Sequence, residues 1–131
     1  MNTLQPISIL VLDDEPIVSK RLQPALEKKG YVVETFFESK KAINRFEEKH
    51  FDIVITDLKM KGLNGMQFLT EVKKQSPKTE VIVITGFATM EIAKESFKKG
   101  VFDFLAKPFK LREIQDVIQK IETKLRKKGD E

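Results

Sequence analysis

The chain has 131 residues and no cysteine, and 24 basic against 20 acidic residues give it a net charge of +4. The length predicts one domain with a sizeable core, the lack of cysteine excludes disulfides and favours a reducing cytoplasm, and no apolar run approaches the roughly 20 residues of a membrane helix. The basic residues form scattered pairs near predicted helix ends, where they favour the helix dipole, so we predict no direct nucleic-acid binding.

Strand and helix signals alternate five times along the chain. An apolar run at residues 7–12 predicts strand one and leads into Asp13 and Asp14. Pro16 suits the first turn of helix one, and Gly30 suits its C-terminal cap. The next predicted elements are strand two at residues 31–36 and helix two from Ser39.

The second half of the chain repeats this alternation. The apolar runs at 53–56, 81–84 and 101–105 predict strands three, four and five. Strands that alternate with amphipathic helices predict a doubly wound parallel sheet. Helix three is predicted to begin at Gly65, and helix four near Thr89 with its end at Gly100. Helix five is predicted from apolar residues at helical spacing, namely Leu111, Ile114, Val117, Ile118, Ile121 and Leu125.

Polar side chains follow four of the predicted strands, namely Asp13 with Asp14, Asp57, Thr85 and Lys107. Because the carboxyl ends of parallel strands meet at one edge, we expect these groups to share a cleft. Clustered carboxylates repel one another unless a cation joins them, and Mg2+ prefers such oxygen ligands. One carboxylate can then attack a phosphoryl group while the metal and Lys107 neutralise the developing charge.

Each of these residues also has an ordinary interpretation. Asp13 and Asp14 can cap a helix, and in isolation capping is the favoured interpretation. Asp57 can be a turn residue, Thr85 a strand residue and Lys107 a surface lysine. Their placement at the same end of the predicted sheet favours a functional cleft over four independent coincidences.

These positions resemble the receiver domains of two-component response regulators. The matching stretches are Val-Leu-Asp-Asp-Glu at 11–15, residues 57–65, Ile-Thr-Gly at 84–86, and residues 102–109 with their Lys-Pro pair. The resemblance spans nearly the whole chain. It implies a flavodoxin-like (βα)5 doubly wound fold with a five-stranded parallel sheet. It also implies a single receiver domain over residues 1–131, with its core at about 6–125 and a short charged tail at 126–131.

The resemblance implies that an aspartate is phosphorylated beside a Mg2+ ion. Asp57 is the expected phosphoacceptor, and Thr85 and Lys107 are expected to contact the phosphoryl group. The expected metal ligands are the carboxylates of Asp13, Asp14 and Asp57 and the backbone carbonyl of Lys59.

The resemblance further implies a conformational switch. Thr85 and the aromatic ring of Phe104 are expected to move together, and helix four, strand five and helix five are expected to display the change. The Lys107–Pro108 bond is expected to be cis. The family usually has proline where Lys61 stands, so we expect a looser loop after Asp57.

The implied role is that of a signalling switch, with self-catalysed phosphorylation and dephosphorylation, and not of a metabolic enzyme. The expected phosphodonor is a histidine kinase or a histidine phosphotransfer protein, and phosphorylation-dependent homodimerisation is weighed against a monomeric receiver. Apart from the resemblance, Ile17, Arg21 and Pro24 fall outside the buried stripe of helix one. With Phe109 they predict an exposed partner surface beside the cleft.

A small Mg2+-dependent phosphohydrolase with an aspartyl-phosphate intermediate is the alternative from another class. Haloacid-dehalogenase-like enzymes of this kind carry Asp-x-Asp after their first strand, whereas Asp57 follows the third. No cap segment is evident that would enclose a substrate. The aromatic residues Phe87, Phe97, Phe102 and Phe109 are predicted to pack in the core or between helices, although Phe109 is also assigned to the partner surface.

Overall fold

The computed structural model describes residues 5–58 and 65–129. Within these ranges the chain forms a parallel sheet of five strands in the order β2-β1-β3-β4-β5. The strands are β1 Ser8–Leu12, β2 Val32–Phe36, β3 Ile53–Thr56, β4 Glu80–Thr85 and β5 Asp103–Ala106. The helices are α1 Pro16–Lys28, α2 Ser39–Glu48, α3 Gly65–Gln75, α4 Met90–Lys98 and α5 Leu111–Gly129.

Each face of the sheet is covered by helices, which makes the fold doubly wound. Side chains of a strand alternate between the two faces, so β1 contributes Ile9 and Val11 to one core and Leu10 and Leu12 to the other. The first core includes apolar residues of α1 and α5, and the second includes those of α2 and α3. The predicted flavodoxin-like architecture is therefore confirmed.

The buried helix faces follow the apolar spacing of the sequence. In α3 the inward residues are Phe68, Leu69 and Val72, as predicted. In α5 the fully buried residues Ile114, Ile118 and Ile121 recur at helical spacing and lie in the first core. This helix continues to Gly129, past residue 125 where the sequence predicts the core to end.

Glycine and threonine set the helix ends. Gly30 and Gly100 each have a φ of +96°, the left-handed conformation that ends a helix and that other residues adopt at a cost. The Thr89 hydroxyl accepts a hydrogen bond from the Ile92 N–H at 3.1 Å and caps α4. Helix α1 runs through Pro24. No helix in the described ranges combines the length and apolar character needed to cross a membrane.

Strand β5 departs from the prediction of a buried strand at 101–105. It begins at Asp103, because Val101 still belongs to the turn after α4, where its N–H donates to the Ser96 carbonyl. It is partly exposed, because it lies at the edge of the sheet and pairs with β4 alone among the described strands. The aromatic residues nearby are also less buried than predicted, since Phe87 and Phe97 are 53% and 50% exposed.

Tyr31 joins the start of β2 to α5. Its hydroxyl donates a hydrogen bond of 2.7 Å to the Glu122 carboxylate. Burial and this carboxylate disfavour the tyrosinate and raise the pKa of Tyr31 to about 12. The interaction therefore stabilises the fold below the ordinary tyrosine pKa of about 10, and the stabilisation is lost as the pH rises towards 12.

We predict that tyrosinate absorbance in the folded protein appears with a pKa of about 12. The absorbance change can be assigned to Tyr31 because the chain has one tyrosine and no tryptophan. Glu122→Gln should lower the pKa of Tyr31 towards its ordinary value and cost on the order of 1 kcal/mol of stability at neutral pH, since the site is partly exposed. An unshifted wild-type titration, with circular dichroism showing a folded chain, would contradict the prediction.

Candidate functional site

Asp13 and Asp57 are the first residues after the neighbouring strands β1 and β3. The Asp57 N–H donates to the Leu12 carbonyl and the Asp13 N–H to the Phe36 carbonyl, both at 3.1 Å. The sheet therefore fixes the backbone from which each carboxylate projects. Successive connections leave β1 and β3 in opposite directions along the sheet, and in such folds ligands bind at this switch point.

Lys107 enters the same cleft from the end of β5. Its backbone N–H donates to the Thr85 carbonyl at 2.8 Å, and the bond that follows, to Pro108, is cis as predicted. Its Nζ lies 2.8 Å from Oδ2 of both Asp13 and Asp57. The same ammonium group also contacts Oε1 of Glu15.

The charges in the cleft shift the proton affinities of its buried groups. Burial opposes the charged form of Lys107, but the carboxylates of Asp13, Asp57 and Glu15 in contact with its ammonium outweigh this and raise the pKa of Lys107. Burial also raises the pKa of Asp13, although Lys107 and the Glu15 N–H act in the opposite direction. Lys107 thus stays a cation that holds together carboxylates which would otherwise repel one another.

The carboxylates suit a hard divalent cation. Asp13, Asp14 and Asp57 each offer an oxygen atom, and these atoms lie within 4.8 Å of one another. Oδ2 of Asp13 is fully buried and contacts the Lys107 ammonium without the geometry of a hydrogen bond. A buried anionic oxygen with an incomplete set of partners fits Mg2+, which prefers oxygen ligands. The predicted fourth ligand, the carbonyl of Lys59, lies outside the described residues, as does Lys61.

The two oxygens of Asp57 have different surroundings. Oδ1 accepts a hydrogen bond of 2.6 Å from the Leu58 N–H, whereas Oδ2 faces the Lys107 ammonium. The carboxylate is almost fully buried, with 5% of the residue exposed at the floor of the cleft. A charge that develops on Asp57 is therefore met by a cation and by a backbone donor.

Thr85 and Phe104 lie on the same face of the sheet. Val83 pairs with Phe104 and Thr85 with Ala106, and residues two apart on a strand point to the same side. The Thr85 hydroxyl is buried and accepts a hydrogen bond from the Phe87 N–H at 3.1 Å. The Phe104 ring is partly buried against the second core. The two predicted switch residues therefore lie on the same face of neighbouring strands, one residue pair apart along that face.

Three of the four residues assigned to the predicted partner surface are exposed. A cleft of about 570 Å3 runs from Asp57 past Ile17 and Arg21 to Phe109. Ile17 is 59% exposed, and Arg21 and Pro24 are exposed beside it. Phe109 is only 4% exposed and packs in the first core, so its exposure as part of the partner surface is wrong, whereas its packing in the core is confirmed.

Arg21 explains part of the burial of Phe109. Its guanidinium lies 4.7 Å from the centre of the Phe109 ring and donates to the Phe109 carbonyl at 3.2 Å. The side chain therefore ties α1 to the loop that carries Lys107. Arg21 has an intramolecular role that its position outside the buried stripe of α1 did not predict.

Two further residues of the site carried no assigned role in the sequence. Glu15 contacts Lys107, and the acidic stretch 13–15 is the signal that could have identified it. Gly65 begins α3 directly against the backbone that follows β3, and its N–H donates to the Leu58 carbonyl at 3.0 Å. A Cβ atom at this position would lie 2.2 Å from the Asp57 carbonyl oxygen and 2.4 Å from Leu58 Cα.

Comparison with known proteins identifies the family. Residues 9–119 match the model of the response regulator receiver domain. A receiver domain protein from Clostridium thermocellum superposes with a TM-score of 0.84 at 34% identity, over 92% of this chain and 97% of that one. The beryllofluoride-activated NtrC4 receiver domain dimer gives 0.84 at 32% identity, over 89% and 97%. The chain belongs to the response regulator receiver domain family.

A longer regulator from Salmonella typhimurium contains a similar region. This regulator, the transcriptional regulatory protein ZraR, is 33% identical to the chain over 125 residues, which are 95% of this chain and 28% of ZraR. The chain thus spans about a quarter of the length of this curated relative. The similarity concerns the receiver region.

We predict that Gly65→Ala destabilises the protein by about 1–3 kcal/mol, because a Cβ atom would clash with the backbone after β3. Urea unfolding would measure the loss. Gly86→Ala is the matched control, since a Cβ atom there meets nothing within 4 Å, and its effect should stay within about 0.5 kcal/mol. Equal stability of the two variants would contradict the close approach at Gly65.

Proposed function

We propose that the chain accepts a phosphoryl group on Asp57 from a phosphohistidine of a histidine kinase or a histidine phosphotransfer protein. A carboxylate oxygen of Asp57 forms the new bond to phosphorus, the bond from phosphorus to the donor nitrogen breaks, and the donor imidazole takes up a proton. The observation that carries this proposal is the Lys107 ammonium at 2.8 Å from Asp57 Oδ2. Family membership supports the donor class.

Each residue of the cleft is proposed to have a separate role in the phosphoryl transfer. Asp57 supplies the nucleophile, Lys107 neutralises charge on the transferred group, and the Leu58 N–H holds the other acceptor oxygen. Asp13, Asp14 and Asp57 would hold Mg2+, which when bound supplies further neutralisation of the phosphoryl oxygens. The protein would promote its own phosphorylation and dephosphorylation and act as a signalling switch.

We propose that Thr85 and Phe104 couple this event to the surface. A phosphoryl group adds about −1.5 to −2 charges, and a hydrogen bond from Thr85 to it contributes about 1.5–3 kcal/mol. A shift of the ratio of active to inactive conformation from 1:99 to 99:1 needs about 5.5 kcal/mol, so the hydrogen bond from the Thr85 hydroxyl alone is insufficient. Burying the Phe104 ring adds about 1.5–3 kcal/mol, and the two together approach a full switch.

The phosphodonor protein is proposed to contact the exposed part of the surface beside the cleft. Ile17 is the large apolar residue there, and Arg21 and Pro24 flank it. An exposed apolar side chain at the edge of an acceptor cleft favours a protein donor over a free small molecule. Phe109 contributes from beneath by supporting Arg21.

The extent of the domain over residues 1–131 and a cytoplasmic location stay predictions. The family match covers residues 9–119, and the described α5 extends beyond it to Gly129. The match also favours the switch over the phosphohydrolase considered from the sequence. A turnover assay with generic phosphoesters would separate these functions.

We predict that Asp57→Asn abolishes acid-labile phosphate uptake from acetyl phosphate with Mg2+, because the amide is not a nucleophile. The wild-type chain should lose its labelling when the divalent cation is removed by a chelator. Radiolabel incorporation measures both effects. Asp52→Asn is the control, since this carboxylate lies at the opposite end of β3. Undiminished labelling of the Asp57 variant would contradict the assignment.

We predict that Ile17→Ala slows phosphoryl transfer from a phosphohistidine donor protein and leaves labelling by acetyl phosphate unchanged, because the exposed side chain lies at the edge of the cleft and is not one of the charged groups around Asp57. Val32→Ala is the control, since Val32 is also exposed but begins β2, away from the cleft. Stopped-flow transfer assays measure the rates. Equal losses with both donors would indicate a folding defect and reject the partner surface.

We predict that phosphorylation promotes homodimerisation through α4, β5 and α5. The NtrC4 receiver resembles this chain and is described as a dimer in its activated form, and Met90 and Phe97 of α4 are 74% and 50% exposed here. Sedimentation velocity with and without beryllofluoride should show a dimer only in the activated sample. One monomeric species in both states, at concentrations far above those in a cell, would contradict the prediction.

A further inference from the structure

Glu15 occupies the N-cap position of α1, yet its side chain makes no capping hydrogen bond. The Glu15 carboxylate contacts the Lys107 ammonium in the cleft. The backbone N–H of Glu15 donates a hydrogen bond to Asp13 Oδ1 at 2.8 Å. The Glu15 side chain is 58% exposed, whereas those of Asp13 and Asp57 are 0% and 7% exposed. Lys107 is therefore held by two carboxylates inside the cleft and by one at its mouth.

The two inner carboxylates have competing partners. Asp13 and Asp57 belong to the group whose oxygen atoms could hold a divalent cation, and both also contact Lys107 at 2.8 Å. A divalent cation on these carboxylates would repel the adjacent ammonium and weaken its attraction to them. Lys107 then needs an anionic partner outside the cation site. Glu15 already contacts it and is not a member of that group.

We propose that Glu15 is a positioning residue for Lys107. It holds the ammonium at the mouth of the cleft when a divalent cation occupies Asp13, Asp14 and Asp57, and it thereby raises the affinity of the site for that cation. This inference rests on the proposed Mg2+ site and adds a residue that does not bind the ion itself.

Simple charge attraction offers a competing explanation, because removing any nearby carboxylate weakens the binding of a cation. The two explanations differ in their dependence on Lys107. A positioning role needs the ammonium, so it disappears when Lys107 is neutral. Attraction between the Glu15 carboxylate and Mg2+ needs no third group and persists without Lys107.

A double-mutant cycle separates them. Mg2+ titrations followed by backbone amide NMR shifts would compare wild type, Glu15→Gln, Lys107→Met and the double variant. Glu15→Gln should weaken Mg2+ binding about two- to five-fold when Lys107 is present, and should change it little in the Lys107→Met background. Equal weakening in both backgrounds would overturn the positioning role.

Two further variants sharpen the result. Glu15→Asp keeps the charge but shortens the side chain by one methylene, so it should weaken Mg2+ binding as Glu15→Gln does. Wild-type Mg2+ affinity in Glu15→Asp would overturn the proposal. Glu27→Gln removes the same charge about 18 Å further along α1, beyond a Debye length of about 10 Å, and should have no effect.

The metal site itself is tested in the same series. Asp14→Asn should weaken Mg2+ binding strongly, because it removes a ligand. Wild-type affinity in that variant, or no binding by the wild-type chain, would contradict the proposed metal site. Normal binding by wild type with no coupling between Glu15 and Lys107 would contradict the positioning role alone.

Discussion

The contact of one ammonium group with the carboxylates of Asp13 and Asp57 is the interaction on which the cleft depends. Two buried carboxylates at neighbouring strand ends repel each other, and a buried charge without a partner costs several kcal/mol. Lys107 supplies the opposite charge at 2.8 Å from both. It reaches them because its backbone N–H donates a hydrogen bond to the Thr85 carbonyl at the end of β4. The ends of three strands, β1, β3 and β5, thus contribute charges to one electrostatic unit, and the end of β4 anchors the backbone of the lysine.

This arrangement favours function over stability. A buried ion pair is often no more stabilising than apolar residues of the same volume, whereas losing one partner is costly. The cleft therefore concentrates charge at one end of the sheet without adding much to the stability of the fold. The surrounding hydrogen bonds, from Leu58 to Asp57 and from Glu15 to Asp13, keep the acceptors oriented.

The cores explain where a response to that rearrangement would occur. Strands β1, β3 and β4 lie almost wholly buried between the two helix layers, while β5 is a partly exposed edge. In α4 only Ser96 is fully buried, and the ends of the helix carry exposed Met90 and Phe97. Elements with few buried apolar residues open or shift at the lowest free energy. Thr85 at the end of β4 and Phe104 in β5 lie where the buried strands meet this less firmly packed part.

The sequence by itself determined the alternation of strands and helices, the buried faces of α3 and α5 and the set of polar strand ends, because local periodicity and turn residues encode them. The contact of Lys107 with Glu15, the tie from Arg21 to Phe109 and the backbone approach at Gly65 were decided by the tertiary structure. So were the exposure of Phe87 and Phe97 and the edge position of β5. These features depend on which elements become neighbours, and no local pattern carries the distance between residues that are far apart in the chain.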